Sequence, residues 1–262
     1  MHPDFAIPSL THKDNFAVLG DVHEKDRVLI SALEEASKCT DLLVQVGDFS
    51  LYSNAQRKLI SHHAAKNGVK VVFIPGNHEN WYYLDSVSTN EITSISPHLF
   101  YAPRGTLATI GSRKVLFFGG AYSIDRNFCE EGKHWFAQEV IDLKQACDCA
   151  ENIAHTENTV DIMFTHDAPN YVKLPQECFL PGIDYFTSMQ AHAHREALDI
   201  ITSAAQPKLL LHGHYHTFYS QTGFYSVQGE RKEFSSLGLS QELEYGSLIL
   251  VNGKDFSMQI LR

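Results

Sequence analysis

No stretch of this 262-residue chain is long and apolar enough to span a bilayer, so the expectation is a soluble protein with no membrane partner. The N-terminal MHPDFAIPSL lacks the basic region and apolar core of a secretory leader. Cysteine is sparse: Cys39, Cys129, Cys147, Cys149 and Cys178 are odd in number and irregularly spaced, which excludes a disulfide framework and predicts free thiols in a reducing cytoplasm. Cys147-Asp-Cys149 has no second pair to complete a metal site. No dense Lys/Arg run occurs and the formal charge is -10, a balance that argues against stable binding to a nucleic-acid backbone. Low-complexity tracts, repeats and Pro/Gly/Ser-rich linkers are absent too, so a single domain over 1–262 is expected.

What is present is an ordinary globular composition, 44% hydrophobic and 20% charged, with fifteen histidines. Six short apolar runs, FAVLG (16–20), DLLVQVG (41–47), VKVVFIPG (69–76), KVLFFGG (114–120), TVDIMFTH (159–166) and PKLLLHG (207–213), read as strands buried on both faces. Stretches with helical spacing separate them: 26–39, 54–68, 134–154 and 190–206. This alternation predicts an α/β layered fold with its sites at the carboxyl ends of strands. The tail, FYSQTGFYSVQG and YGSLILVNGKDFSMQILR with its Asn252-Gly253 pair, reads as antiparallel strands closing the sheet.

Histidines such as His62-His63, or His192 and His194 in AHAHRE, are read as surface or core residues on helices. The strand ends are different. They carry Gly20-Asp21-Val22-His23, Gly47-Asp48, Gly76-Asn77-His78-Glu79, His166-Asp167 and His212-Gly213-His214-Tyr215-His216. Singly, each Asp or Asn after Gly is an ordinary turn former. Jointly, five of six strands end in hard or borderline metal ligands, where independent turn chemistry would scatter Ser, Thr, Gly and Pro.

The ordered set GDxH, GD, GNHE, H and GHxH resembles the calcineurin-like metallophosphoesterases, in particular small bacterial and phage members, along nearly the whole chain. The resemblance implies a four-layer α/β/β/α sandwich, two mixed β-sheets flanked by helices with a two-metal site at the sheet edges. It assigns Asp21, His23 and His216 to one divalent ion, Asn77, His166 and His214 to the other, and Asp48 to both. Mixed Asp, Asn and His ligation suits Mn, Fe, Co, Ni or Zn. His78 takes the role of the family histidine that hydrogen-bonds the phosphate or protonates the leaving alkoxide, with Glu79 and His212 behind the ligands. The implied activity is hydrolysis of a small phosphodiester, such as a cyclic nucleotide, by activated water attacking phosphorus. A phosphomonoester is the alternative substrate, and a non-catalytic scaffold or a nuclease is a competing reading.

Departures narrow the substrate. Protein phosphatases of the superfamily follow the bridging Asp with an acidic residue and an arginine, whereas GDFSLYSN stands here, which disfavours that activity. Glu24 starts a helix or shapes the pocket. In the insert GGAYSIDRNFCEEGKHWFAQEV, Arg126 either pairs with Asp125 or Glu130 or reaches a phosphate. Trp81, Tyr82, Tyr83 and Tyr215 either pack or stack on a base, and homo-oligomerisation stays open.

Overall fold

The computed structural model describes residues 8–155, 159–179 and 181–262; the leader reading at residues 1–7 lies outside them. The chain runs through β1 (Ser9–Thr11), β2 (Asn15–Leu19), α1 (Asp26–Ala36), β3 (Leu42–Gln45), α2 (Asn54–Asn67), β4 (Lys70–Phe73) and α3 (Trp81–Val87). It continues through β5 (Thr93–Ser96), β6 (Leu99–Tyr101), β7 (Thr106–Ile110), β8 (Arg113–Phe118), α4 (Leu143–His155), β9 (Ile162–Thr165) and α5 (Tyr185–Ala205). Last come β10 (Leu209–His212), β11 (Tyr219–Val227), β12 (Glu230–Gly238), β13 (Leu248–Asn252) and β14 (Met258–Ile260).

Among the described residues these strands form two mixed sheets of seven, in the orders β1-β7-β8-β9-β10-β12-β11 and β14-β13-β2-β3-β4-β6-β5. All six predicted strands are present. Their alternation explains the four layers. Phe16 and Val18, Val44 and Val46, Phe117, Ile162 and Phe164, and Leu209 and Leu211 point between the sheets into one core. The residues between them turn outward: Leu19, Leu43 and Phe73 against Leu29 and Leu33 of α1, and Leu116, Met163 and Leu210 against Leu198 and Ile201 of α5. Strands buried on both faces therefore read as continuous apolar runs.

Helix ends follow local chemistry. Ser53 caps α2 by accepting the Gln56 amide, and Gly68, at φ 65°, turns the chain out of it. Asp184 caps α5 through Thr187, so this helix begins five residues before the predicted start at 190.

The predicted helix over 134–154 is corrected: residues 134–142 hold only a 3₁₀ turn at Ala137–Glu139, and α4 starts at Leu143. The cause is tertiary. Arg104, half-buried, donates to the carbonyls of Gln138, Glu139 and Val140, while the Glu139 carboxylate accepts the Ser123 and Phe136 amides. Those carbonyls are committed to Arg104 instead of to the next turn of a helix. Strands β13 and β14 pair antiparallel as expected. Within this tail, however, the two-residue hairpin turn is Gln228-Gly229 between β11 and β12, both at positive φ (52° and 82°), and not Asn252-Gly253. The short elements β1, β5, β6, β7 and α3 had no clear sequence signal.

No helix among the described residues is long and apolar enough to cross a membrane. All five cysteines are free thiols.

Phe164 lies between the sheets with its ring stacked on Phe117 at 5.2 Å and edge-on to Phe16 at 5.9 Å. Phe164→Ala should lower the free energy of unfolding in urea by about 3–5 kcal/mol, because two rings lose their partner and the sheets cannot collapse into the gap. A loss below about 1 kcal/mol would show that the inter-sheet layer repacks freely.

Candidate metal centre

The parallel strands β2, β3 and β4 of one sheet and β8, β9 and β10 of the other lead at their carboxyl ends into the loops that build the site. Asp21, one residue beyond Gly20, is fully buried. Its carboxylate accepts the His214 amide at 3.1 and 3.2 Å, and Oδ2 lies 3.1 Å from His216 Nε2 and 3.8 Å from His23 Nε2. Asp48 is buried as well: Oδ1 accepts the His78 amide at 2.9 Å and faces His166 Nε2 at 3.3 Å. Its carbonyl in turn accepts the Val22 and His23 amides, which ties the first loop to the second.

Backbone conformation is strained just here. His23, Glu24, Asp48, Ser50, His214 and His216 all have φ between 48° and 70°, the left-handed region. Each such residue costs on the order of 1–3 kcal/mol, so their concentration in one set of loops marks a site that the surrounding fold over-determines. Glycine provides the remaining clearance. A Cβ on Gly213 would sit 2.1 Å from Asp21 Oδ1, and one on Gly76 would sit 2.1 Å from Asp48 Oδ1.

Ligand atoms of Asp21, His23, Asp48 and His216 lie within 4.8 Å of one another. The Nε2 atoms of His23 and His216 approach to 3.0 Å, and both rings aim at the same carboxylate. On the other side of Asp48, His166 Nδ1 donates to the Val46 carbonyl at 2.8 Å, which leaves Nε2 directed at Asp48 and at Asn77 Oδ1, 3.2 Å away. A carbonyl can only accept, so Nδ1 carries a proton and Nε2 is the nitrogen presented to the site. The His214 ring packs against His166 at 5.1 Å. Asp21, His23, Asp48 and His216 thus form one group of candidate ligand atoms, with Asn77, His166 and His214 packed beside it.

The electrostatics are those of anions in want of a cation. Burial opposes charge on His166, yet attraction to Asp48 and the bond to it outweigh burial and lift the imidazole to about 10. Burial likewise opposes ionisation of Asp48, but His166, His78 and His23 hold it well below the usual carboxylate range. His214, desolvated and next to His166, is pushed down to about 3 and stays neutral. Among the described residues, every ion pair to Asp21 and Asp48 comes from a histidine, with no Lys or Arg. Two buried carboxylates surrounded by imidazole nitrogens are a donor set that fits divalent transition cations.

His78 sits beside this cluster, its ring 5.7 Å from that of His23 and its carbonyl accepting the Ser50 and Tyr52 hydroxyls. It lines a cavity of about 470 Å³ together with His23, Glu24, Ser50, Tyr52, Asp125, Cys129, Lys133 and His134. Ser50, Tyr52, Cys129, Lys133 and His134 join the cavity wall from loop positions, which carry no periodic signal in the sequence. Glu24 precedes α1 and lines this cavity, so it shapes the pocket and does not start the helix. Buried Glu79 accepts the Phe49 and Ser50 amides and so supports the loop that follows Asp48. His212 is held by the Tyr219 hydroxyl at 2.8 Å behind the GHYH loop.

Other candidates turn away. Arg126 does pair with a carboxylate, but with buried Glu139 at 2.7 Å instead of Asp125 or Glu130, and it lies between the Tyr122 and Trp135 rings. Trp81 is buried and donates to the Gly76 carbonyl. Tyr215 donates its hydroxyl to buried Asp167. Tyr82 packs on Phe136, and Tyr83 lies under Arg57. His194 is a satisfied core histidine: it accepts the Ile141 amide and bonds the Gly120 carbonyl.

Gly213→Ala should displace the Asp21 carboxylate while leaving the sheets intact. The expected outcome is a wild-type circular dichroism spectrum with at least tenfold weaker metal retention on dialysis, the scale of a disturbed ligand support. Unchanged retention would mean that Asp21 has room to move.

The family profile described as calcineurin-like phosphoesterase matches residues 15–218. TT1561 of Thermus thermophilus is similar at 12% identity over 94% of this chain and 97% of its own, with a TM-score of 0.53. A second solved structure reaches 14% identity over 95% and 99% of the two chains, with a TM-score of 0.54. The calcineurin-like phosphoesterase YfkN from Bacillus subtilis matches at 12% identity over 94% and 88%, with a TM-score of 0.42. No curated protein sequence matches significantly. At such identities the first two structures share a fold with this chain, while the profile match spans every converging loop from Asp21 to His216. The chain belongs to the calcineurin-like phosphoesterase family.

Proposed function

We propose that this phosphoesterase hydrolyses a small phosphodiester with two divalent transition-metal ions. The observation that carries the reading is the pair of buried carboxylates, Asp21 and Asp48, with imidazole nitrogens converging on both. Asp21, His23 and His216 would hold one ion, Asn77, His166 and His214 the other, and Asp48 both. Such a pair supplies an activated water nucleophile and charge neutralisation at phosphorus.

The chain's own residues do the rest. Asp48, clamped through the His78 amide and the Val22 and His23 amides, holds the two halves of the site in register. His78, beside the cluster and on the cavity wall, is positioned to donate a hydrogen bond to a phosphoryl oxygen or a proton to the leaving oxygen. Charge on the cavity wall favours a diester. Arg126 is committed to Glu139, Lys133 pairs with Glu130 at 2.9 Å, and Glu24 and Asp125 are acidic. A monoester carries close to two negative charges at neutral pH and a diester only one. These walls repel the dianion more.

Kinetics of the metal-loaded protein on bis-p-nitrophenyl phosphate, p-nitrophenyl phosphate and a cyclic nucleotide test this reading. The diesters should be preferred; a monoester preference would remove the diester assignment. Elemental analysis should find up to two transition ions per chain, and Asp48→Asn should lose at least one of them with most activity, because the negative bridge between two cations is gone. Full activity with both ions retained would take Asp48 out of the bridging role.

His78→Ala should leave metal content unchanged and lower kcat by about 10²- to 10⁴-fold. If His78 protonates the leaving group, a ribose alkoxide suffers more than a nitrophenolate, which leaves unprotonated. Equal losses would instead assign His78 to charge stabilisation at the phosphoryl group. No loss on either substrate would dismiss both roles.

A further inference from the structure

Asn77 meets the site through a side chain whose two ends are chemically opposite. Its amide oxygen can coordinate a cation or accept a hydrogen bond, whereas its NH₂ can do neither. Something must decide which end faces the site. Asn77 Nδ2 donates to the Ser123 hydroxyl at 3.1 Å, and Oδ1 faces His166 Nε2 at 3.2 Å. Ser123 is buried at the start of the insert after β8, and its backbone amide is hydrogen-bonded to Glu139. Glu139 is buried in turn. Its Oε1 accepts the Ser123 amide at 2.9 Å and Arg126 Nη2 at 2.7 Å, and its Oε2 accepts the Phe136 amide at 3.1 Å.

This chain of bonds has one direction. A guanidinium only donates and an ionised carboxylate only accepts. Burial pushes the Glu139 carboxyl up, but the Phe136 and Ser123 amides and Arg126 favour its charged form. The Ser123 backbone is thereby pinned to Glu139, which places Ser123 Oγ where it accepts from Asn77 Nδ2. Only the NH₂ end of Asn77 satisfies an acceptor, so its oxygen is turned into the site. The aromatic clamp of Tyr122 and Trp135 on Arg126 holds the far end of the relay.

We propose that Ser123, backed by the buried Glu139–Arg126 pair, is a positioning residue that sets the orientation of the Asn77 amide and thereby the affinity of the second metal position. The inference rests on the two-metal reading of the site, in which Asn77 belongs to the second ion. None of Ser123, Glu139 and Arg126 touches the metal cluster itself.

The test is a metal titration of wild type, Ser123→Ala and Ser123→Thr by calorimetry with Mn²⁺ or Zn²⁺, with thermal melts of the metal-free proteins alongside. Ser123→Ala should weaken the second binding step by roughly 10- to 100-fold, the usual cost of losing a partner behind a ligand, and leave the first step unchanged. Ser123→Thr, which keeps the hydroxyl, should restore the second step to within about threefold, well inside that range. Equal weakening of both steps, or no weakening at all in a wild type that binds two ions, would overturn the relay alone. A wild type that binds fewer than two would overturn the two-metal reading and the relay with it. Should Ser123→Ala not fold, the wild-type side-chain amide of Asn77 decides: the relay requires a hydrogen-bonded, slowly exchanging NH₂ proton in the NMR spectrum of the metal-free protein, and a fast-exchanging pair refutes it.

Discussion

Asp21 and Asp48 are buried within a few ångströms of each other, and their ion-pairing partners among the described residues are imidazoles. Burying an ionised carboxylate without compensation costs more than most single interactions return. Much of the local architecture answers that constraint. Backbone amides of His78 and His214 are aimed at the two carboxylates, and attraction to Asp48 raises the His166 imidazole well above its ordinary range against the effect of burial. A divalent ion would take over that attraction, and for this reason metal binding and the stability of these loops are expected to be coupled.

The same constraint accounts for the strain. To bring His23, Asp48, His214 and His216 inward from strand ends on two different sheets, the chain must reverse within one or two residues. It does so through left-handed conformations that their side chains disfavour. The cost is offset by the rigidity of what lies beneath: β2, β3 and β4, and β8, β9 and β10, hold the loops to a packed inter-sheet core whose principal residues are fully buried. A looser scaffold would relax these residues to ordinary turns and scatter the ligands.

The insert between β8 and α4 contributes in a different manner. It supplies cavity walls at Asp125, Cys129, Lys133 and His134, and it is closed on itself by Glu139, which accepts hydrogen bonds from residues on both of its arms. Arg104 reinforces the closure from below through three backbone carbonyls. Wall shape and amide orientation at Asn77 therefore share one buried carboxylate. The candidate metal-binding groups sit on the strand ends, and much of the cavity wall sits on the insert.

Much of this was legible in the order of residues. Six apolar runs, each followed closely by Gly, marked the parallel strands, because a strand covered on both faces needs apolar side chains on both. The candidate ligands were legible because they stand directly after those runs, at positions where turn residues of other types would serve equally well. Other features were decided only by folding. The helix expected from residue 134 yields to Arg104 and Ser123, which lie far from it in sequence and claim its polar groups. Arg126 passes over its neighbours Asp125 and Glu130 for Glu139, which the fold brings into reach and buries. Sequence alone determined which chemical groups stand at the strand ends, since that follows from local periodicity. Which of them share a buried charge, and which way each donor points, depended on contacts between distant segments that no local pattern encodes.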